Sequence, residues 1–88
     1  MNTKQERAKK NNPPEDFFDG KDLVIAKSIY NGDVRGIENL VKYKNYDVNS
    51  RGSVESDGRL QRWTLLGYAI LIGEVKPAEK LLQLGADV

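Results

Sequence analysis

Apolar positions recur along this chain at helical spacing in four short runs, each closed by a glycine, a polar turn or an acidic-polar loop. The first run spans about Lys21 to Tyr30, with Val24, Ile25, Ser28 and Ile29 on one face. Asn31-Gly32-Asp33 then reads as a stop and restart: Gly32 takes a left-handed turn and Asp33 caps the next helix. The second run, about Val34 to Lys44, sets Val34, Ile37, Leu40 and Val41 in a buried stripe. Gly36 weakens that helix unless close packing requires a residue without a side chain. The third run covers Leu65 to Ile72, with Leu65, Leu66, Ala69 and Ile70 directed at neighbouring helices. The fourth covers about Lys76 to Leu84, burying Ala78, Leu81 and Leu82. Pro77 fits a first helical turn, where its missing N–H has no partner to lose, and Gly85 ends the helix.

Two stretches depart from this pattern. Residues 1–16, MNTKQERAKKNNPPED, offer almost nothing to pack and are expected to form a mobile polar tail. That tail is either a solvated end or a tether to a membrane or neighbouring domain. Phe17 and Phe18 come next, and either fold back over the first helix or face a partner. The second stretch, residues 50–63, separates the two helix pairs. Asp57-Gly58 is a tight-turn signal, so a short hairpin is expected with Val54 and Leu60 near its tip.

Composition narrows the function. The chain has 88 residues, a net charge of +1, and neither cysteine nor histidine. A domain of this size buries only about 60% of its unfolded surface, so its stability is marginal. Disulfides and thiolate metal sites are excluded, and the commonest general base and metal ligand is lacking. The hydroxyls and carboxylates Ser53, Glu55, Ser56 and Asp57 share one loop, but nothing completes a nucleophilic constellation. No phosphate loop begins at Gly32, and the acidic run Glu15 to Asp22 lacks calcium-loop alternation. Catalytic, metal and cofactor residues are therefore expected to be none. No apolar run nears the ~20 residues needed to span a bilayer, and residues 1–16 hold no signal-peptide core.

The stretch Trp63-Thr64-Leu65-Leu66-Gly67-Tyr68-Ala69, then Gly73, then Leu81-Leu82-Gln83-Leu84-Gly85-Ala86-Asp87 resembles one ankyrin repeat. Leu23 to Asn49 resembles a degenerate first repeat, aligned by Gly32, Leu40, Asp47 and Asn49, with one extra residue in Tyr43-Lys44-Asn45-Tyr46. Gly32 and Gly73 stand 41 residues apart, against a repeat period of about 33. Most of the excess falls in residues 50–63. The resemblance implies an all-α, helix-turn-helix solenoid of about two repeats, 21–49 and 64–88, with an enlarged inter-repeat β-hairpin finger. Leu65 and Gly67 replace the usual Pro and His, and Pro77-Ala78 the usual Ile-Val. Because at least three repeats normally share a core, the last repeat is expected to expose apolar surface. Further repeats of a longer array, or a second copy, would cover it.

Ankyrin repeats bind other proteins through their fingers and first helices. Carried onto this chain, that surface comprises Arg51, Val54, Glu55, Arg59, Arg62, Trp63, Tyr30, Tyr68 and Leu71. Arginine and tryptophan are favoured at interface hot spots. The competing reading packs Trp63 beneath the finger and leaves the arginines solvated or paired with Glu55 and Asp57. With no wider basic face, nucleic acid is not the expected ligand.

Phe17-Phe18-Asp19-Gly20, the degenerate first repeat, and Thr64-Leu65-Leu66 also make the chain similar to short bacterial ankyrin proteins encoded beside phospholipase toxins of type VI secretion systems. That resemblance implies a periplasmic immunity protein that binds and neutralises a lipase toxin. It further implies that residues 1–16 are the spacer after a signal or lipid anchor. The alternatives are a cytoplasmic scaffold or regulator, a host-directed secreted effector, or a domain appended to a larger enzyme.

Overall fold

The computed structural model describes residues 4–52, 54–56 and 58–87, with the side chains of residues 4, 56 and 59–61 outside that description. Among them are five α-helices: α1 (Lys4–Asn11), α2 (Gly20–Tyr30), α3 (Val34–Tyr43), α4 (Leu65–Leu71) and α5 (Val75–Gln83). A 3-10 turn, Pro14–Asp16, precedes α2, and two short strands, β1 (Val54–Ser56) and β2 (Arg59–Gln61), separate α3 from α4. The fold is all-α apart from this hairpin.

The four central helices form two antiparallel pairs stacked side by side. Within each pair, α2 packs on α3 and α4 on α5; between pairs, α2 meets α4 and α3 meets α5. The core at their junction includes Ile25, Ile29, Ile37, Leu65, Ile72 and Leu81, all fully buried.

Both pairs turn in the same way, because both carry glycine at the required place. Gly32 and Gly73 have φ of 70° and 73°, a conformation that costs a residue with a Cβ roughly 1–2 kcal/mol. Behind Gly32, the Asp33 N–H donates to the Ser28 carbonyl at 2.8 Å; behind Gly73, the Glu74 N–H donates to the Ala69 carbonyl at 2.9 Å. These bonds satisfy carbonyls that a helix end would otherwise leave unpaired. Helix starts are capped by Asp33, whose Oδ1 accepts from Gly36 N at 3.0 Å, and by Thr64, whose Oγ1 accepts from Gly67 N at 2.9 Å. A Cβ on Gly36 would overlap the capping carboxylate of Asp33, which accounts for glycine inside α3.

After α3 the chain turns at Asn45, which takes φ 57°. The two pairs are tied at their ends by Asn49: its Oδ1 accepts from Asp87 N at 2.8 Å, while Asp47 Oδ1 accepts from Asn49 N at 2.9 Å. The hairpin pairs Val54 with Gln61, Glu55 with Leu60 and Ser56 with Arg59, antiparallel. Gly58 has φ 76°, as a tight turn requires. At its base Arg51 bridges Thr64, and Gly52 N donates to the Trp63 carbonyl at 2.9 Å.

Three expectations need correction. First, residues 4–16 are not an unpacked tail. Lys4–Asn11 is helical, Pro14 is buried, and the segment bonds to α4 and the α4–α5 turn. Its Lys, Gln, Glu, Arg and Ala content favours helix, and the polar groups it meets on the folded domain cannot be read from its own hydropathy. Second, Ile70 and Leu82, expected inside, are exposed, because no described element covers that side of the second pair. Third, Val24, expected on the inner face of α2, is about half exposed, with Ala26 buried in its stead. Expectations that involved Ser53, Asp57 and Val88 fall outside the described residues.

Candidate protein-binding surfaces

The nine residues expected to meet a partner divide into three groups. Arg51, Glu55 and Arg62 are exposed on the hairpin and its flanks, and Val54 is half-buried there. The Arg59 side chain lies outside the described residues. Arg51 also lines a shallow cavity of about 360 Å³ with Asn49, Thr64, Leu66, Gly67, Ile70 and Asp87. Among the described residues Glu55 makes no ion pair with Arg51 or Arg62, the pairing that the competing reading allowed.

Trp63, Tyr68, Tyr30 and Leu71 behave differently. Trp63 is half-buried, and Phe17 meets its ring edge-on at a centroid distance of 5.7 Å. Tyr68 is fully buried. Its ring packs on Phe17 and on Phe18, both at 5.3 Å, and its hydroxyl donates to the Asn12 carbonyl at 2.7 Å. Burial pushes the Tyr68 hydroxyl well above its ordinary pKa, with smaller contributions from Tyr30, Glu15 and Asp16. Tyr30 is half-buried with the Lys9 ammonium 5.4 Å from its ring centre, a cation–π arrangement. Leu71 is half-buried against the core.

The inner-helix positions are thus partly covered by the chain's own N-terminal segment. Phe18 is fully buried, so Phe17-Phe18 fold back over the helices. Gly52 makes room for this, since a Cβ there would overlap the Phe17 carbonyl oxygen. Beyond Pro14, α1 contacts the second pair at its turn. Gln5 Nε2 donates to the Gly73 carbonyl at 3.0 Å and to Glu74 Oε1 at 2.7 Å, and Lys9 Nζ pairs with the same Oε1 at 2.7 Å. Gln5, Lys9, Asn12 and Glu74 carried no signal in the hydropathy pattern. The Pro13-Pro14 pair just ahead of Phe17-Phe18 was the one available hint of an ordered turn.

A third surface lies on the outer side of the second pair. Ile70 is 66% exposed, Val75 64% and Leu82 45%. With Ala69 and Ala78 they line an apolar depression of about 250 Å³ edged by Glu74 and Glu79. The corresponding residues of the first pair, Ile29, Val34 and Val41, are buried or half-buried.

Among the described residues, no cluster of three histidines, cysteines or carboxylates could hold a metal, and no helix is long and apolar enough to cross a membrane. The arrangement offers recognition chemistry: exposed cations on a hairpin, an aromatic cluster, a carboxylate at a helix turn, and an apolar end face. Comparison with protein families, curated proteins and solved structures finds no match to this chain.

Proposed function

We propose that this chain is an ankyrin-type repeat module that binds another protein and performs no catalysis of its own. The carrying observation is the repetition of one unit. Two helix pairs share the same glycine turn and the same terminal bond, at Gly32 and at Gly73. They are separated by a hairpin that projects exposed Arg51, Glu55 and Arg62. Stacked helix pairs with hairpins between them bind through side chains that vary freely without disturbing the fold.

In its sharper form, the module is a periplasmic immunity protein that neutralises a phospholipase toxin of a type VI secretion system. The hairpin and its arginines would plug the lipase cleft and keep substrate out. The resemblance of the aromatic-glycine opening and of Thr64-Leu65-Leu66 supports that form. The test mixes the purified chain with the phospholipase toxin encoded beside its gene. A stoichiometric complex with lipase activity lost is expected, and Arg51→Ala with Arg59→Ala and Arg62→Ala should weaken it at least about 10-fold. A tight complex with a cytoplasmic protein instead would move the module to the scaffold class.

The exposed Ile70, Val75 and Leu82 favour a second contact, in which another helix pair covers the end of the stack. Further repeats or a second copy would satisfy it. Sedimentation of the wild type against Ile70→Asp separates the cases: a monomer in both leaves further repeats as the occupant.

A further inference from the structure

The N-terminal segment has two parts of different character. Pro14 is buried, Phe18 is part of the core, and Phe17 packs on Trp63 and Tyr68. These residues belong to the fold. Helix α1 does not anchor in the same way. Its sequence, KQERAKKN, is polar on every side, with Ala8 the only apolar residue, and none of its described side chains is fully buried. An eight-residue helix does not hold itself together in water. Its position therefore depends on polar contacts: Gln5 and Lys9 on Glu74, Gln5 on the Gly73 carbonyl, Lys9 over Tyr30, and the Asn12 carbonyl on Tyr68.

The surface beneath α1 explains why those contacts exist. Asp33 and Glu74 occupy the same place in the two helix pairs, one residue after the turn glycine. Asp33 caps its own helix, accepting from Gly36 N. Glu74 has no such bond, and Pro77, three residues on, has no N–H to give. Its Oε1 is instead bonded by Gln5 and Lys9 of α1. The side chain is only 12% exposed. A carboxylate this enclosed needs a cation or donors beside it. An occupant that encloses Glu74 as α1 does must bring a cation or hydrogen-bond donors to its carboxylate, as Lys9 and Gln5 do.

We propose that Tyr30, Tyr68, Gly73 and Glu74 form a groove for a basic helical segment of a partner protein, and that α1 is its displaceable occupant in cis. This inference rests on the protein-binding reading above and names the partner's chemistry at one part of the surface. Glu74 is the recognition carboxylate, Lys9 imitates the partner's cation, and the Asn12-Pro13 junction is the point about which α1 leaves. Phe17 and Phe18 stay seated when it does.

The test uses the full chain. Amide exchange of residues 5–12 is measured in the wild type, in Lys9→Glu, in Glu74→Lys and in the double exchange. Each single reversal should speed α1 exchange by about 10-fold, and the double variant should return it to within about 2-fold of the wild type. Near-ultraviolet dichroism and Trp63 emission confirm that the core is intact, and Gln5→Ala supplies a milder opening in case a reversal disturbs folding. A synthetic peptide of residues 1–12 is then added in trans. It should shift the amide resonances of Tyr30, Gly73 and Glu74 in Lys9→Glu at least about 5-fold more than in the wild type. The same peptide carrying Lys9→Glu should shift neither. Three results overturn the proposal: unprotected α1 amides in the wild type, no restoration in the double variant, or no peptide response in the opened protein. If partner binding responds to the hairpin arginines but not to Lys9→Glu, the protein-binding reading stands and the groove falls.

Discussion

The two helix pairs of this molecule share a backbone plan and differ in what surrounds them. Ile29 and Ile70 hold equivalent places, three residues before the turn glycine, yet Ile29 is fully buried and Ile70 is 66% exposed. Asp33 and Glu74 are equivalent acids after that glycine, yet one caps its helix and the other binds α1. Local pattern thus decides which residues form a turn and a helix. Whether an apolar face becomes core or a docking surface depends on the neighbour that stacks on it.

The sharpest way to break that comparison is to truncate the equivalent isoleucines. Ile29→Ala should cost about 2–5 kcal/mol, while Ile70→Ala should stay within about 0.5 kcal/mol, both by urea unfolding of the isolated chain. Equal losses would mean that Ile70 is covered in solution.

Tyr68→Phe probes the contact between α4 and the N-terminal segment. It removes the donor to the Asn12 carbonyl and should cost about 1 kcal/mol. It should also flatten the alkaline limb. Burial raises the Tyr68 pKa in the folded state. Its contribution is therefore fully present below the ordinary tyrosine value of about 10 and is lost as pH rises through the raised value. The urea midpoint of the wild type should fall faster than that of Tyr68→Phe between about pH 10 and 12.

The two acids give a smaller, directional difference. Asp33→Ala should cost about 1 kcal/mol through loss of a helix cap and should loosen the amides at the start of α3. Glu74→Ala should leave the start of α5 protected and loosen residues 5–12 instead, with less than about 0.5 kcal/mol on global stability. If both variants loosen their own helix alone, Glu74 has no special tie to α1.

The smallest effect belongs to Glu38, which pairs with Lys42 of its own helix at 2.9 Å and bridges to Lys80 of α5 at 3.5 Å. The hydrogen bond and charge of Lys42, then the charge of Lys80, hold its carboxyl below the usual range. Its contribution is present above the ordinary carboxylate pKa and lost as pH falls through the lowered one. Glu38→Gln should shift the thermal midpoint barely at all. Whatever shift appears should vanish at 1 M salt, where the screening length is about 3 Å.

Much of the helical plan could be read beforehand. Gly32, Gly73 and Gly85 marked helix ends because only glycine enters that conformation cheaply. Asp33 marked a start, and Asp57-Gly58 marked the hairpin turn. Hydropathy also placed Ile25, Ile29, Ile37, Leu66 and Leu81 in the core. It failed for Val24, Ile70 and Leu82, because a helical stripe gives the width of an apolar face and not which part of it a neighbour covers. It failed again for residues 4–16, whose contacts are polar. Hydrogen bonds from Gln5 to a turn carbonyl some 68 residues away leave no periodic trace.

The amino-acid sequence by itself determined the four central helices, their turns and the absence of histidine and cysteine chemistry, since these come from local backbone preference and residue type. The tertiary structure decided what each face meets. Only packing set Tyr68 between two phenylalanines and left Ile70 open. Only packing aimed the Glu74 carboxylate at Lys9, because a surface acquires its role from elements distant in the chain.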